Sequence, residues 1–381
     1  MTKESEDKKM PQILLEHVSK RFEKFVAVDD LNLNISDRGF VTLLGPSGCG
    51  KTTTLRMIAG LETPTSGRIL IDGVPVYDSD KGINLPPNKR DIGFLFQNYA
   101  LWPHMTVEQN ISFGLEMLKW DKKRIRERVN EMMTLLKIEQ FGKRYPAELS
   151  GGQQQRVAIA RTLAPSPKVL FMDEPLSNLD AKLRGEMRTE LKRLHSDTNS
   201  TFVYVTHDQL EAMTLSTRVC LMEAGVLQQY DPPLKIYNQP ANMFVASFVG
   251  NPTMNFIPAQ AEGRDGTELN LTFLGKKAVF TSETSFDLPE KEIVAGIRPE
   301  FLPIRKDGPL KASIYSTLPA GMETTVKVRC VDALLTSVVF GSVDYEVDEN
   351  VCMDVTGESV VLFGAGDHRR FAVGKLEILN I

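Results

Sequence analysis

FVTLLGPSGCGKT, residues 40–52, decides the fold of this chain. Its apolar first half predicts a buried parallel strand, and its second half, Gly45 to Thr52, fits the phosphate-loop pattern GxxxxGK[ST]. The glycines of such a loop let its backbone N–H groups surround a phosphate at a helix N-terminus, which favours negative charge. Lys51 then supplies a cation for the β- and γ-phosphates, and the Thr52 hydroxyl is placed to coordinate Mg²⁺. The stretch therefore predicts a nucleotide site at the end of a strand.

Apolar runs alternate with helical patterns around this loop, up to roughly residue 235. KVLFMD (168–173) and TFVYVTH (201–207) read as further buried parallel strands, and a charged helical pattern covers residues 121–138. This alternation predicts an α/β doubly wound fold, in which ligands gather at the carboxyl ends of the strands.

The composition bears on several classes of protein. A net charge of −4 does not indicate a nucleic-acid binder. The longest apolar runs, such as VVLF (360–363), are far shorter than the roughly 20 residues of a membrane span, and the first ten residues lack the apolar stretch of a signal peptide. The scattered cysteines suit free thiols in a reducing cytoplasm, and the dispersed histidines do not indicate a zinc site.

The composition and the hydrophobic pattern change in the second half of the chain. Residues 232–256 are rich in Pro, Asn and Gly and suggest a helix-containing bridge, whereas later segments such as ELNLTF and SVVLFG are short and strand-like. We expect a polar tail over residues 1–10, an α/β domain over 11–235, a linker over 236–256 and a small β-barrel or sandwich over 257–381.

Two further motifs carry polar chemistry. KVLFMDEP places Asp173 at a strand end, where a carboxylate can hold Mg²⁺, and puts Glu174 beside it, where a base can polarise water. LSGGQQQR (149–156) opens a helix at Ser150, which by itself suggests an N-cap more than a ligand site. NKRD (88–91) matches the guanine-recognition pattern of GTPases, but no DxxG separates it from the phosphate loop, and we interpret it as a chance match in a polar loop.

Taken in order, these motifs resemble those of the ABC ATPases. The phosphate loop matches Walker A, and Gln97 in GFLFQNYA matches the Q-loop. LSGGQ (149–153) matches the family signature, and Asp173 with Glu174 matches Walker B. SNLD (177–180) matches the D-loop, and His207 in VTHDQ matches the switch histidine. The resemblance implies a P-loop NTPase fold of the ABC type, with a RecA-like core and a helical subdomain at about 98–163.

The resemblance implies a role for each matched residue. Glu174, His207, Gln97 and Lys51 would be catalytic, with Glu174 polarising the attacking water and His207 reaching the γ-phosphate. ATP would be bound by Gly45, Pro46, Ser47, Gly48, Cys49, Gly50, Lys51, Thr52 and Thr53. Mg²⁺ would be held by Thr52, Gln97 and Asp173, with Gln97 bound directly or through water. Phe22 lies where the family stacks an aromatic ring on adenine, although Phe25 is close enough to compete and Phe22 could instead be a core residue.

The signature implies a dimer. In ABC ATPases it covers the ATP held by the opposite subunit, so Ser150, Gly151, Gly152 and Gln153 would act on a partner's ATP, with Asp180 in the D-loop. Only one set of motifs is present. The expected working unit is therefore a head-to-tail homodimer, or a dimer with a close paralogue, containing two ATP sites.

Three further segments resemble the sugar-importer branch, which includes the maltose-type ATPases: GNPTMNF (250–256), GIRPE (296–300) and QNYALWPH (97–104). Trp102 stands where tyrosine is commoner, and the region after about Gly321 departs most from the family. The branch implies that residues 257–381 form an oligonucleotide-binding-like domain for regulation and dimerisation, with no role in nucleic-acid binding. YALWPHM (99–105) would help line a groove for a helix of each membrane subunit.

The branch also implies the biological setting. We expect a peripheral ATPase at the cytoplasmic face of the membrane, serving two integral membrane permeases and an extracytoplasmic solute-binding protein. The favoured solute is a sugar or glycerol-phosphate. Polyamine, iron, sulfate or phosphonate import remains open, and an exporter or a soluble non-transport ABC protein is a weaker alternative.

Cys49 lies inside the phosphate loop. A helix N-terminus and Lys51 both favour the thiolate form, so we expect a reactive thiol that ATP protects. A thiol shielded beneath the loop is the alternative.

Overall fold

The computed structural model describes residues 13–357 and 359–379. The chain forms two compact units, Met1–Pro233 and Leu234–Ile381, called here the N-terminal and C-terminal units. Within the described ranges, no helix is both long enough and apolar enough to span a membrane.

The N-terminal unit combines eleven strands with six α-helices among its described residues. The strands are β1 (Ile13–Phe22), β2 (Phe25–Ile35), β3 (Phe40–Leu44), β4 (Ser66–Ile71), β5 (Val74–Asp78), β6 (Ile83–Asn84), β7 (Ile92–Leu95), β8 (Val169–Asp173), β9 (Thr201–Val205), β10 (Arg218–Glu223) and β11 (Val226–Asp231). The helices are α1 (Lys51–Ala59), α2 (Val107–Met117), α3 (Lys122–Leu135), α4 (Gly151–Leu163), α5 (Ala181–Asp197) and α6 (Gln209–Leu215).

A six-stranded sheet in the order β11-β10-β3-β9-β8-β7 forms the centre of this unit. All neighbouring pairs are parallel except β10 with β11. Every residue of β3, β8 and β9 is buried, which explains why these strands read as continuous apolar runs. The predicted α/β fold is confirmed, and the carboxyl ends of β3, β8 and β9 lie side by side.

A second, antiparallel sheet in the order β2-β1-β4-β5-β6 covers one part of the unit and was not expected. Its alternation of apolar and polar residues is interrupted by register shifts, for example between Leu15 and Val18 in the pairing of β1 with β2. A bulge moves the following side chains to the other face, so the period of two is lost in the sequence.

Helices α2, α3 and α4 lie within the segment expected to form a helical subdomain. Helix α2 begins at the N-cap Thr106, whose side chain accepts the N–H of Gln109, and α3 begins at the N-cap Asp121. Their apolar faces share one core, which includes Ile111 and Met132. The caps satisfy orphan N–H groups, while burial of these faces provides the stability.

The C-terminal unit consists mainly of strands. Its elements are α7 (Pro233–Asn238, which starts at the boundary), α8 (Met243–Phe248), β12 (Asn255–Asp265), β13 (Glu268–Phe273), β14 (Lys276–Ser282), β15 (Glu292–Ile297), β16 (Ile304–Arg305), β17 (Leu310–Pro319), β18 (Glu323–Cys330), β19 (Ala333–Phe340), β20 (Asn350–Met353), β21 (Val360–Gly364) and β22 (Arg370–Ile378). Strands β12-β13-β14-β22-β21-β15 close into a barrel, as expected for an oligonucleotide-binding-like domain. A five-stranded sheet, β16-β20-β17-β18-β19, accompanies it.

Two buried polar residues organise this unit, and both belong to the segments that resemble sugar importers. Asn255 bonds both backbone polar groups of Thr336 (2.9 and 2.7 Å) and so joins the barrel to β19. The fully buried Arg298 donates to the carbonyl oxygens of Tyr237, Ala246 and Val249. It thereby ties α7 and α8 to the barrel, and burial lowers its pKa.

Candidate nucleotide site

The phosphate loop connects β3 to α1, and it has no room for a side chain at Gly45. Gly45 has a φ of 148°, and a Cβ on it would lie 2.2 Å from the carbonyl oxygen of Met222. Only glycine is compatible with this conformation and with so close an approach of two backbones. The backbone at Gly45 therefore packs directly against the backbone of Met222 at the end of β10.

Lys51 is buried at 6% exposure, although it carries a charge. Its Nζ donates to the carbonyl oxygens of Gly45 and Pro46, both at 2.8 Å. These bonds hold the ammonium group over the loop, where the oxygens of a phosphate can replace the carbonyl oxygens as acceptors.

Asp173, at the end of β8, meets Thr52 across the site. Its Oδ1 accepts the hydroxyl of Thr52 at 3.0 Å, and its side chain is almost fully buried. A hydroxyl and a carboxylate oxygen are hard donors of the kind that Mg²⁺ prefers, so this pair fits the ion. Arg56 was not expected here, yet one of its guanidinium nitrogens lies 3.4 Å from Asp173 Oδ2. Its position four residues after Thr52, on the same helix face, is the signal that could have indicated it.

Glu174 and His207 are brought together by adjacent strands. Glu174 follows β8 with a φ of 45°, and its backbone N–H donates to Val205 O at the end of β9. Its carboxylate Oε2 lies 3.2 Å from His207 Nδ1. Positive φ is uncommon for a residue other than glycine and often occurs at functional sites. The two predicted catalytic side chains are thus in direct contact.

Gln97 contacts the segment expected to be the D-loop, not the Thr52–Asp173 pair. Its side-chain Nε2 donates to Ser177 Oγ at 3.2 Å, and its backbone carbonyl oxygen accepts from the side-chain amide of Asn178 at 3.1 Å. Asp180 ends this segment as the N-cap of α5. The structure therefore joins the Q-loop to the D-loop within one chain.

Phe22 and Phe25 face each other across the turn between β1 and β2. Their rings are stacked with centroids 5.1 Å apart, and the residues are 39% and 58% exposed. Lys20 Nζ lies 4.8 Å from the Phe22 ring centre. This exposure argues against Phe22 as a core residue, and both rings are available for stacking on a base.

The residues predicted to form the signature pack against α5. Ser150 is the N-cap of α4, and its N–H donates to the Gln153 side chain at 2.9 Å. A Cβ on Gly152 would lie 2.6 Å from a methyl carbon of Leu183 in α5. Glycine at this position lets the start of α4 pack directly against the first turn of α5.

The structure does not support the expectation that Cys49 is a reactive thiolate. The residue is 3% exposed, and burial raises the pKa of its thiol above the ordinary 9.0, although Lys51 Nζ lies 3.8 Å from Sγ. Loss of hydration disfavours the charged form more than the neighbouring cation favours it. The shielded thiol is the alternative that the structure supports.

Arg90, in the stretch that mimics a GTPase motif, is another residue whose role was missed. It is 3% exposed, and its guanidinium group donates to the carbonyl oxygens of Leu85, Met57 and Ile58. The last two belong to the final turn of α1, so Arg90 caps the C-terminus of the phosphate-loop helix. Arg90 therefore has a structural role in this loop, and the chance match of NKRD to the GTPase pattern stays our interpretation.

The segment Tyr99 to Met105 is partly core and partly surface. Tyr99 is buried, and Leu101 packs against the core, whereas Trp102 is 43% exposed. The side chain of Asn110 in α2 shapes the segment by bonding the backbone N–H and C=O of Trp102 at 2.9 and 3.1 Å. Sequence reasoning did not identify Asn110, because its contacts come from the fold of the loop.

Comparison with known proteins adds independent findings. A family model described as ABC transporter matches residues 28–177. The ABC transporter ATP-binding protein YurJ of Bacillus subtilis is 43% identical over 367 residues, which cover 93% of this chain and 98% of that protein. The trehalose/maltose import ATP-binding protein MalK of Thermococcus litoralis is 49% identical, over 77% of this chain and 79% of its own length. The osmoprotective compounds uptake ATP-binding protein GgtA of Synechocystis sp. is 43% identical, over 84% and 91%.

Solved structures agree with these relatives. CbiO1 from Clostridium perfringens, part of the ABC transporter complex cbiONQ, matches with a TM-score of 0.55 and 31% identity, over 59% of this chain and 90% of that one. The ATP-binding cassette MJ0796, a dimer in a post-hydrolysis state with ADP and Pi, matches with a TM-score of 0.50 and 33% identity, over 58% and 98%.

Proposed function

The chain belongs to the ABC transporter ATP-binding proteins, and we propose that it energises the uptake of a sugar or glycerol-phosphate through separate membrane subunits. The resemblance to the carbohydrate-type branch is confirmed, and with it the assignment as an ATP hydrolase coupled to transport. Such subunits bind ATP and work as dimers with membrane permeases.

The observation that carries the site assignment is the convergence of Lys51, Asp173 and the Glu174–His207 pair. They come together because the carboxyl ends of β3, β8 and β9 are adjacent in the sheet. ATP would lie on residues 45–53, with Phe22 or Phe25 beneath the adenine. Thr52 and Asp173 would hold Mg²⁺, which neutralises phosphate charge, and Gln97, whose Nε2 donates to Ser177 Oγ, would join them through its Oε1, directly or through water.

The proposed chemistry rests on Glu174. Its carboxylate would accept a proton from water as the water oxygen bonds to the γ-phosphorus and the bond to the β-phosphate oxygen breaks. His207, 3.2 Å away, would hold the carboxylate in position and reach the γ-phosphate. Lys51 would balance the charge on the phosphates.

Substitution of Glu174 tests this assignment. Glu174→Gln keeps the shape of the side chain but cannot accept the proton, so ATP hydrolysis should fall by at least about 100-fold. Binding of a fluorescent ATP analogue should be retained, and an ATP-bound dimer should accumulate on size-exclusion chromatography. The matched control is Glu186→Gln, an exposed residue of α5, which should hydrolyse ATP normally. Unchanged phosphate release by Glu174→Gln would exclude the residue from this role.

The dimer we propose is two-fold symmetric, with the signature of each chain over the partner's ATP. Support comes from the small residues Gly151 and Gly152 at the start of α4, whose N-terminus provides backbone N–H groups for an anion. We place the dimer at the cytoplasmic face of the membrane, against two permeases that receive solute from a binding protein. The exposed Trp102 would contribute to the groove that accepts a permease helix.

The solute class rests on the functions after which the relatives are named. MalK is a trehalose/maltose import protein, and GgtA serves uptake of osmoprotective compounds, which makes an osmoprotectant the second candidate. The test is ATPase activity of the transporter reconstituted with its permeases and binding protein. A sugar or glycerol-phosphate should stimulate it, stimulation by an osmoprotectant instead would favour the second candidate, and polyamine, iron, sulfate and phosphonate should not stimulate it. Stimulation by one of the latter alone would overturn the proposed solute class.

A further inference from the structure

The first turn of α5 lies against three segments that the proposed function assigns to ATP. Asp180 is the N-cap of α5 and the last residue of the D-loop. Leu183 packs against Gly152 of the signature so closely that a Cβ on that glycine would lie 2.6 Å from Leu183 Cδ2. Arg184, the next residue, points to the segment that contains His207. One helical turn therefore contacts all three.

Arg184 bridges the D-loop (residues 177–180) and residues 206–211, which contain His207 and are called here the switch segment. Its NH2 nitrogen donates to the carbonyl oxygen of Leu179 at 3.1 Å, and NH1 lies 3.5 Å from Oδ2 of Asp208, the residue after His207. The side chain is 32% exposed, so solvent screens these contacts only in part. The planar guanidinium can bond two groups at fixed angles, which an ammonium cannot do.

The switch segment is itself braced on both sides of His207. Asp208 Oδ1 accepts the N–H groups of Leu210 and Glu211, and the N–H of Asp208 donates to the Thr206 hydroxyl at 3.0 Å. A shift of Asp208 would therefore move His207 together with the start of α6. The contact with Arg184 is the link from this braced segment to the D-loop.

The buried carboxylate of Glu211 connects the switch segment to Arg184. It is 3% exposed, and its Oε2 accepts the hydroxyls of Tyr204 and Thr206, both at 2.7 Å. Its Oε1 faces Arg184 Nε at 3.9 Å, and Nε is buried without a hydrogen-bond partner among the described residues. Burial raises the pKa of Glu211, while Arg184 opposes that change. A movement of about 1 Å would close this gap to hydrogen-bond distance.

Resting on the proposed roles of His207 and the D-loop, we propose that Arg184 is a positioning residue for ATP hydrolysis. It fixes the position of the switch segment relative to the D-loop. Because Leu183 contacts the signature, the same turn links the ATP site of one chain to the signature that this chain presents to its partner. Arg184 touches no reacting atom and acts through Leu179, Asp208 and Glu211.

Steady-state kinetics of the full-length chain test the proposal. Arg184→Met keeps an unbranched apolar stem but removes the charge and the donors, so kcat should fall about ten-fold while KM for ATP stays within about two-fold. Arg184→Lys keeps the charge without the planar fork and should show an intermediate kcat. Arg188→Met, one turn further along α5, is the matched control and should have wild-type kinetics. Unfolding followed by tryptophan fluorescence should give closely similar midpoints for all variants.

The outcomes separate this inference from the proposed function. Glu174→Gln and His207→Ala are measured in the same assay, and wild-type turnover in both would overturn the proposed function itself. If both lose turnover while Arg184→Met keeps its kcat, only the positioning role is wrong. A raised KM with a lowered unfolding midpoint, not restored by lysine, would show that Arg184 is merely structural. If the methionine variant does not fold, the lysine variant decides: lowered kcat at unchanged KM supports the proposal, and wild-type kcat refutes it.

Discussion

We expect Arg90→Met to destabilise the N-terminal unit by removing the cap of the phosphate-loop helix. The guanidinium group of Arg90 makes four hydrogen bonds of 2.8 to 3.2 Å: to the carbonyl oxygens of Met57 and Ile58, to Leu85 O and to Asn84 Oδ1. The site has no carboxylate partner within these contacts, so the positive charge is balanced by carbonyl dipoles at the helix C-terminus. Methionine fills a similar volume but leaves the carbonyl oxygens unsatisfied.

The magnitude follows from two opposing effects. Hydrogen bonds to a charged group contribute about 1.5 to 3 kcal/mol each, and the lower part of that range, about 1.5 to 2 kcal/mol, gives roughly 6 to 8 kcal/mol for four. Burial opposes this: it lowers the pKa of Arg90 from 12.5 to about 10, equivalent to about 3 kcal/mol. The expected net loss in the free energy of unfolding is therefore about 3 to 5 kcal/mol.

Urea unfolding followed by tryptophan fluorescence measures this loss. The only two tryptophans, Trp102 and Trp120, both lie in the N-terminal unit, so the signal reports on that unit. Arg90→Lys should be intermediate, because lysine keeps the charge but not the fork. Lys89→Met, at the exposed neighbouring position, should stay within about 0.5 kcal/mol of wild type. A loss below about 1 kcal/mol for Arg90→Met would refute the reasoning.

Three further predictions address the rest of the chain. Cys49 should react with a maleimide more slowly than the half-buried Cys352. Its reaction rate should rise about ten-fold per pH unit up to pH 9, because its raised pKa keeps the thiol protonated. Mass spectrometry of the labelled peptides checks both, and faster labelling of Cys49 than of Cys352 would contradict its burial. Asn255→Ala should destabilise the C-terminal unit by about 2 to 4 kcal/mol, because it leaves the backbone groups of Thr336 unpaired, whereas substitution of the exposed residue in Asn270→Ala should not. Scanning calorimetry measures both variants, and equal effects would contradict the role of the Asn255–Thr336 hydrogen bonds. Trp102→Ser should preserve ATPase activity of the isolated subunit but reduce solute-stimulated activity of the reconstituted transporter, and an unfolded variant by circular dichroism would indicate a core role instead.

Several features could be predicted from the sequence because they depend on a few neighbouring residues. The phosphate loop is a contiguous pattern whose glycines allow its backbone conformation, and the strand before it and the helix after it follow locally. Strands β8 and β9 were recognisable because a strand buried on both faces is apolar throughout. Asp173 and His207 were candidates because they end or follow such strands.

Other features were invisible because they arise from contacts between distant parts of the chain. The register shifts of β1 and β2 remove the alternation that would reveal their sheet. The residue beside Gly152 is Leu183, and the residues capped by Arg90 are Met57 and Ile58, which no local pattern indicates.

The sequence by itself determined the nucleotide-binding class and the α/β core, since these depend on local backbone conformation and on strands that are apolar throughout, and the order of its motifs carried the resemblance to the ABC ATPases. Only the tertiary structure decided which side chains meet: Glu174 with His207, Thr52 with Asp173, and Gln97 with Ser177. It also reversed the expected ionisation of Cys49. The physical reason is that hydration and long-range contacts set the energy of a buried charge, and both come into existence only when the chain packs.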